Sequence, residues 1–136
     1  MEKGYVALDH NGSAASLTLE YAYDDWTIYH TALLAGNRSV ADTYKKRAAN
    51  YTNVFDTNMG YARPRYADGR WKENFNLLNT HGEGFIEGNA LNYSFYVPQD
   101  VDNMIRLMGG DKSFVSKLDS LFTMHLPAEF SPRPRM

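Results

Sequence analysis

The stretch Thr80-His-Gly-Glu-Gly-Phe-Ile-Glu-Gly-Asn-Ala-Leu-Asn-Tyr93 gathers two carboxylates, one imidazole, two carboxamides and three glycines. Glycines let backbone approach a ligand closely or turn through positive φ. Glu87 follows the apolar pair Phe85-Ile86 and precedes Gly88. An apolar setting raises a carboxyl pKa, which a proton-donating acid requires. Asn89 and Asn92 have the donors and acceptors to bind sugar hydroxyls. His81 either faces the same pocket or orders the loop. The competing reading makes Glu87 an ordinary carboxylate at a helix N-terminus, where the helix dipole favours it. The residue pattern alone leaves both open.

Other candidates read as structural. Asp24-Asp25 are expected to bond to backbone or to an arginine. His30 reads as a core or rim residue, His10 and His125 as solvent groups, and Trp71 as packing under a loop rather than stacking on sugar. No His-x-x-x-His spacing is present. Cysteine is absent, which excludes disulfides, thiolate metal sites and cysteine nucleophiles. The net charge of −2 gives no electrostatic reason to expect nucleic acid, and Lys45-Lys46-Arg47 and Arg133-Pro134-Arg135 read as a solvated helix face and a tail. No run of 18 apolar residues marks a membrane span. The N-terminus has no apolar core of a signal peptide, so a signal for export is expected outside this chain. Ten tyrosines, seven phenylalanines and two tryptophans suit either a large aromatic core or a carbohydrate-stacking surface.

These residues must be positioned by helices and loops. Leu19, Ala22, Tyr23, Trp26, His30 and Leu33 follow helical spacing, starting after Ser13 or Ser16 as cap and stopping at Gly36-Asn37. Ser39 to Asp42 resembles a capping box for a second helix through Val40, Tyr44, Tyr51 and Phe55, ending near Asp56. The two make an antiparallel hairpin. Residues 57–86 hold too many glycines and prolines for a helix and predict a long irregular segment, with a short hairpin turning at Asp68-Gly69. A helix over Gly88 to Tyr96 precedes Pro98. Asp100 caps the next, with Val101, Met104, Ile105 and Met108 as its stripe. Gly109-Gly110 ends that helix, and Asp111 caps the last, whose stripe is Phe114, Leu118, Leu121 and Phe122. The tail from His125 is expected to be extended or disordered. The expected fold is mainly α: helical hairpins with a long loop region between them.

Several further words occur in order along the chain: Leu-Glu-Tyr-Ala-Tyr-Asp-Asp-Trp26, Asn50-Tyr51 with Phe55-Asp56, Arg63-Pro-Arg65 with Asp68-Gly69, Thr80-His-Gly82, Ile86-Glu-Gly-Asn-Ala90 with Tyr93 and Val97-Pro98, then Asp100-Val101, Met108-Gly-Gly110 and Leu118-Asp119 with Leu121-Phe-Thr123. Their collinear order, over about residues 4 to 130, resembles glycoside hydrolase family 92.

That resemblance implies calcium-dependent, inverting exo-α-mannosidases acting on mannose-containing glycans. It implies a β-sandwich followed by a catalytic (α/α)6 toroid of six hairpins. It reads residues 1–130 as part of that toroid, an internal fragment, and residues 131–136 as a divergent tail. It assigns Glu87 the general-acid role; Asn89, His81, Asn92 and Tyr93 are the residues expected at the substrate. Calcium ligands are not assignable from it. The family's base lies in an aspartate motif downstream, and nothing after Glu87 matches it: Asp100, Asp102, Asp111 and Asp119 read as caps and solvent-face residues. Two departures stand inside the match, Leu91 where the family has an aromatic and Gln99 where it has histidine. The expected partners are the remaining domains of a periplasmic or secreted parent, with self-association through apolar surface left open. The isolated chain is expected to be inactive, and the alternative is a non-catalytic carbohydrate-binding or helical interaction module.

Overall fold

The computed structural model describes residues 3–80, 82–125 and 127. Among these residues there are five α-helices: α1 (Ala14–Leu34), α2 (Arg38–Arg47), α3 (Ala90–Tyr93), α4 (Val101–Leu107) and α5 (Asp111–Thr123). Between α2 and α3 come a 3-10 helix (Asn50–Val54) and two short strands, β1 (Phe55–Asp56) and β2 (Tyr61–Ala62). The strands pair antiparallel, Phe55 with Ala62 and Asp56 with Tyr61. The mainly helical expectation therefore holds.

α1 and α2 form the expected hairpin. α1 closes at Gly36, whose φ of +74° lets the Gly36 amide donate to Leu33 and the Asn37 amide to Ala32. α4 ends the same way on Gly109 and Gly110, whose amides reach Arg106 and Ile105. The core lies where α1, the 3-10 helix, β1, β2 and α4 converge, on Leu19, Tyr51, Val54, Val97 and Met108.

Several expected boundaries and caps are corrected. The second helix stops at Arg47, not near Asp56: the chain tightens into the 3-10 helix over Asn50–Val54 and then enters sheet, where the Arg63 amide donates to Val54 O at 2.7 Å and β1 pairs with β2. Its cap is Asn37, accepting from the Val40 amide at 3.2 Å, rather than Ser39. Ser13 stands at the cap of α1 as expected, but its side chain makes no cap hydrogen bond. The carbonyl of Gly84 takes that part, accepting from the Ala15 and Ser16 amides at 2.9 and 3.1 Å. α3 shrinks to Ala90–Tyr93, because the amides of Phe95 and Tyr96 turn back three residues on the approach to Pro98. Asp100 stands at the cap of α4 but spends its carboxylate on the Tyr51 phenol at 2.7 Å. Gly110 takes the cap position of α5, and Asp111 is its first residue.

The apolar stripe assigned to α5 is also less buried than expected. Phe114 packs against the core and lies 5.8 Å from the Phe95 ring, but among the described residues of α5 none is buried, and Phe122 is 83% exposed. On α1 the buried face runs through Leu19, Ala22, Asp25 and Ala32, leaving His30 and Leu33 exposed. Asp25 accepts from Arg47 Nε at 2.9 Å, the structural pairing expected of it. The irregular segment has the expected turn at Asp68-Gly69, closed by an Arg65–Trp71 bridge. The Trp71 ring packs beneath the Arg65 guanidinium at 4.6 Å. The tail beyond Pro127 lies outside the described residues.

Candidate active site

The loop that carries Glu87 is strapped to the N-terminus of α1. Gly84 supplies the α1 cap, and the Ile86 amide donates to Ser16 Oγ at 3.2 Å. Gly84 is required there, since it holds φ +84° and a β-carbon would meet Pro64 Cβ at 2.6 Å. Glu83 is buried beside the strap. Its carboxylate pairs with Lys72 Nζ at 3.2 Å and accepts from Asn79 Nδ2 at 3.1 Å. The Lys72 ammonium supplies the opposite charge and Asn79 a hydrogen bond, the two kinds of partner that a buried acidic side chain needs.

Glu87 itself is exposed, with φ +50°. Phe85 is buried beneath the loop, whereas Ile86 is 48% exposed. The apolar enclosure expected from this pair is therefore not supplied by Ile86. Glu87 instead lines a cleft of about 440 Å³ together with Glu20, Asn92, Tyr93 and Tyr96. Tyr93 donates its phenol to Glu20 Oε1 at 3.1 Å and rests on Phe85, ring centres 5.7 Å apart. Burial, and then Glu20, hold the Tyr93 phenol above its ordinary pKa; burial also raises Tyr96. Both rings stay protonated: Tyr93 gives its hydrogen to Glu20 and can accept from a ligand, and Tyr96 carries a donor for one.

Of the residues singled out from sequence, Glu87, Asn92 and Tyr93 come together at this cleft. Asn89 does not line it. Its side-chain oxygen caps α3 by accepting from the Asn92 amide, and its Nδ2 donates to Leu78 O at 3.3 Å. Asn92 Oδ1 returns the box by accepting from the Asn89 amide at 2.8 Å. His81 lies outside the described residues. Two lining residues, Glu20 and Tyr96, were not legible. Glu20 sits 73 residues from Tyr93, and no spacing rule connects them.

Among the described residues, no group of three or more His, Cys, Asp or Glu side chains could hold a metal ion. The cleft's two carboxylates fall short of the six to eight oxygens, roughly, that calcium takes. The described residues thus do not fit a calcium centre. No helix among them is long and apolar enough to cross a membrane.

A mainly helical segment with two carboxyl groups in a tyrosine-lined cleft is an arrangement suited to a polar, hydroxyl-rich ligand. Residues 1–133 match the glycosyl hydrolase family 92 catalytic domain, and the chain belongs to that family. It is similar to the family GH92 α-mannosidase BT3965 from Bacteroides thetaiotaomicron, with TM-score 0.85 and 36% identity, over 91% of this chain and 16% of that one. The same enzyme in complex with mannoimidazole gives TM-score 0.87 and 34% identity, over 91% of this chain and 17% of that one. The inverting mannosidase BT2199 of that organism gives TM-score 0.83 and 33% identity, over 87% and 16%. A protein of Arthroderma benhamiae described as an uncharacterized secreted glycosidase is 29% identical over 86% of this chain and 18% of its own length. The chain therefore spans under a fifth of the length of each of these relatives.

Proposed function

We propose that this chain forms the proton-donating part of an inverting exo-α-mannosidase that hydrolyses mannose-containing glycans, with Glu87 as general acid. The observation that carries the reading is the cleft: Glu87 lies on its wall beside Asn92 and two protonated phenols, on a segment that folds like part of an enzyme captured with mannoimidazole. Glu87 protonates the departing glycosidic oxygen. Asn92 and Tyr93 hold sugar hydroxyls, and His81 is assigned to the same substrate. Asn89 acts one step back, by building the α3 turn that presents Asn92 and Tyr93.

Inversion also needs a base across the sugar, with the two carboxyl groups about 6.5–9.5 Å apart so that water fits between them. That base, the β-sandwich, the rest of an (α/α)6 toroid and any calcium ligands belong to further parts of a complete, exported enzyme. The exposed apolar residues of α1 and α5, among them Leu34 and Phe122, would mate with those parts, and in the isolated chain they would drive self-association.

In the complete enzyme, Glu87→Gln is expected to lower kcat by about 10²–10⁴-fold on mannosides with poor leaving groups, and far less on activated aryl mannosides. The chain by itself, assayed with an aryl α-mannoside and calcium, is expected to show no turnover. Unchanged rates in Glu87→Gln would remove it from the acid role. Saturable mannose binding by a complete enzyme that never hydrolyses would favour the non-catalytic module.

A further inference from the structure

Glu87 keeps its φ of +50° in the left-handed region that side chains other than glycine rarely adopt. Such a conformation lasts only where the surroundings fix it from more than one side. On the N-terminal side the fixing is direct, through Gly84 on the α1 amides and Ile86 on Ser16. On the C-terminal side the chain passes through Gly88. A β-carbon there would lie 2.8 Å from Tyr93 Cε2 and 2.9 Å from Cδ2, so the backbone after Glu87 rests directly on the Tyr93 ring. The ring is held by Phe85 beside it and by the hydrogen bond from its phenol to Glu20 at 3.1 Å. Glu20 follows Ser16 by four residues on α1, hence on the same helix face. One helix face thus grips both sides of Glu87: Ser16 holds the residue before it, and Glu20, through Tyr93, holds the residue after it.

We propose that Glu20 is a positioning residue: by fixing Tyr93 it keeps Gly88, and with it Glu87, in the left-handed turn that sets the Glu87 carboxyl in the cleft. The proposal rests on the reading of Glu87 as proton donor. Its chemistry is that of an acceptor, and a carboxamide accepts the same phenol hydrogen whereas alanine does not.

The test uses Glu20→Ala, Glu20→Gln and Tyr93→Phe in the complete enzyme, each on an alkyl mannoside, which needs the acid, and on an activated aryl mannoside, which needs it little. Glu20→Ala is expected to lower kcat on the alkyl substrate by about ten- to a hundredfold, as small misplacements of a reacting group do. The loss on the aryl substrate is much smaller. Glu20→Gln restores most of the loss, and adding Tyr93→Phe to Glu20→Ala widens the alkyl-to-aryl difference no further, since the lost Tyr93 sugar contact weakens both substrates alike. Equal losses on both substrates, or a Gln variant as damaged as the Ala variant, would overturn the proposal.

In the 136-residue chain, hydrogen exchange of the Asn89 amide, which follows Gly88 and donates to Asn92 Oδ1 at 2.8 Å, is expected to speed up in Glu20→Ala and not in Glu20→Gln. Unchanged exchange also overturns the proposal, whatever Glu87 does. A Glu87→Gln enzyme without leaving-group dependence would instead sink the acid reading alone. Should Glu20→Ala fail to fold, Tyr93→Phe carries the same comparison.

Discussion

The irregular region between α2 and α3 and the closing helix α5 solve the same problem in opposite ways. The loop region has no repeating ladder to absorb its backbone groups, so individual side chains do it. Arg63 donates to Asp56 at 2.8 Å and, through two nitrogens, to the Lys72 carbonyl at 3.0 and 2.5 Å. Arg65 donates to Gly69 O at 3.0 and 2.8 Å and to Asn53 O at 3.3 Å, with its guanidinium over the rings of Tyr5 and Trp71. Ser94 accepts from the Ala62 amide at 2.7 Å and joins α3 to β2. α5 satisfies its own backbone and needs only apolar neighbours. It finds few of them, with Val115 54% and Phe122 83% exposed. Irregular backbone close to a site is expensive to hold, so its supports are specific and internal. A regular helix is cheap to form and can leave its packing face for a partner.

Three substitutions would break or sharpen this contrast. The largest effect is expected from Arg63→Ala, which strands the buried Asp56 carboxylate and the Lys72 carbonyl together. It should cost about 3–5 kcal/mol, read by denaturant unfolding, and a cost under about 1 kcal/mol, the level of an exposed pair, would mean that the loop is held by packing instead. Gly84→Ala comes next. It meets both a positive φ and Pro64, and should destabilise by about 1–3 kcal/mol while loosening the Ile86 to Ser16 strap. Native amide protection at Ile86 would show otherwise. Phe122→Asp should change the chain's stability by no more than about 0.5 kcal/mol, yet shift light scattering toward monomer. A large stability loss there would mean that α5 depends on Phe122 for its own docking.

Much of this fold was legible because it rests on local rules. The two glycine-closed helix ends, the turn at Asp68-Gly69 and the apolar spacing of α1 up to Trp26 are each decided within a few residues. The misread boundaries are those where a distant strand or loop outbid the local signal. The second helix gave way to a 3-10 helix leading into the β1–β2 pair, and the first amides of α1 were taken by the carbonyl of Gly84.

The same division runs through the candidate site. The order of short words along the chain carried the family, and with it Glu87, Asn92 and Tyr93 as residues of interest. The tertiary structure decided that Asn89 is spent on capping α3 and that Glu20 and Tyr96 complete the cleft wall. Sequence periodicity reports which neighbours three or four residues away share a face. It carries no information on a hydrogen bond spanning 73 residues, because that contact exists only once the loop bearing Glu87 has been laid across the N-terminus of α1.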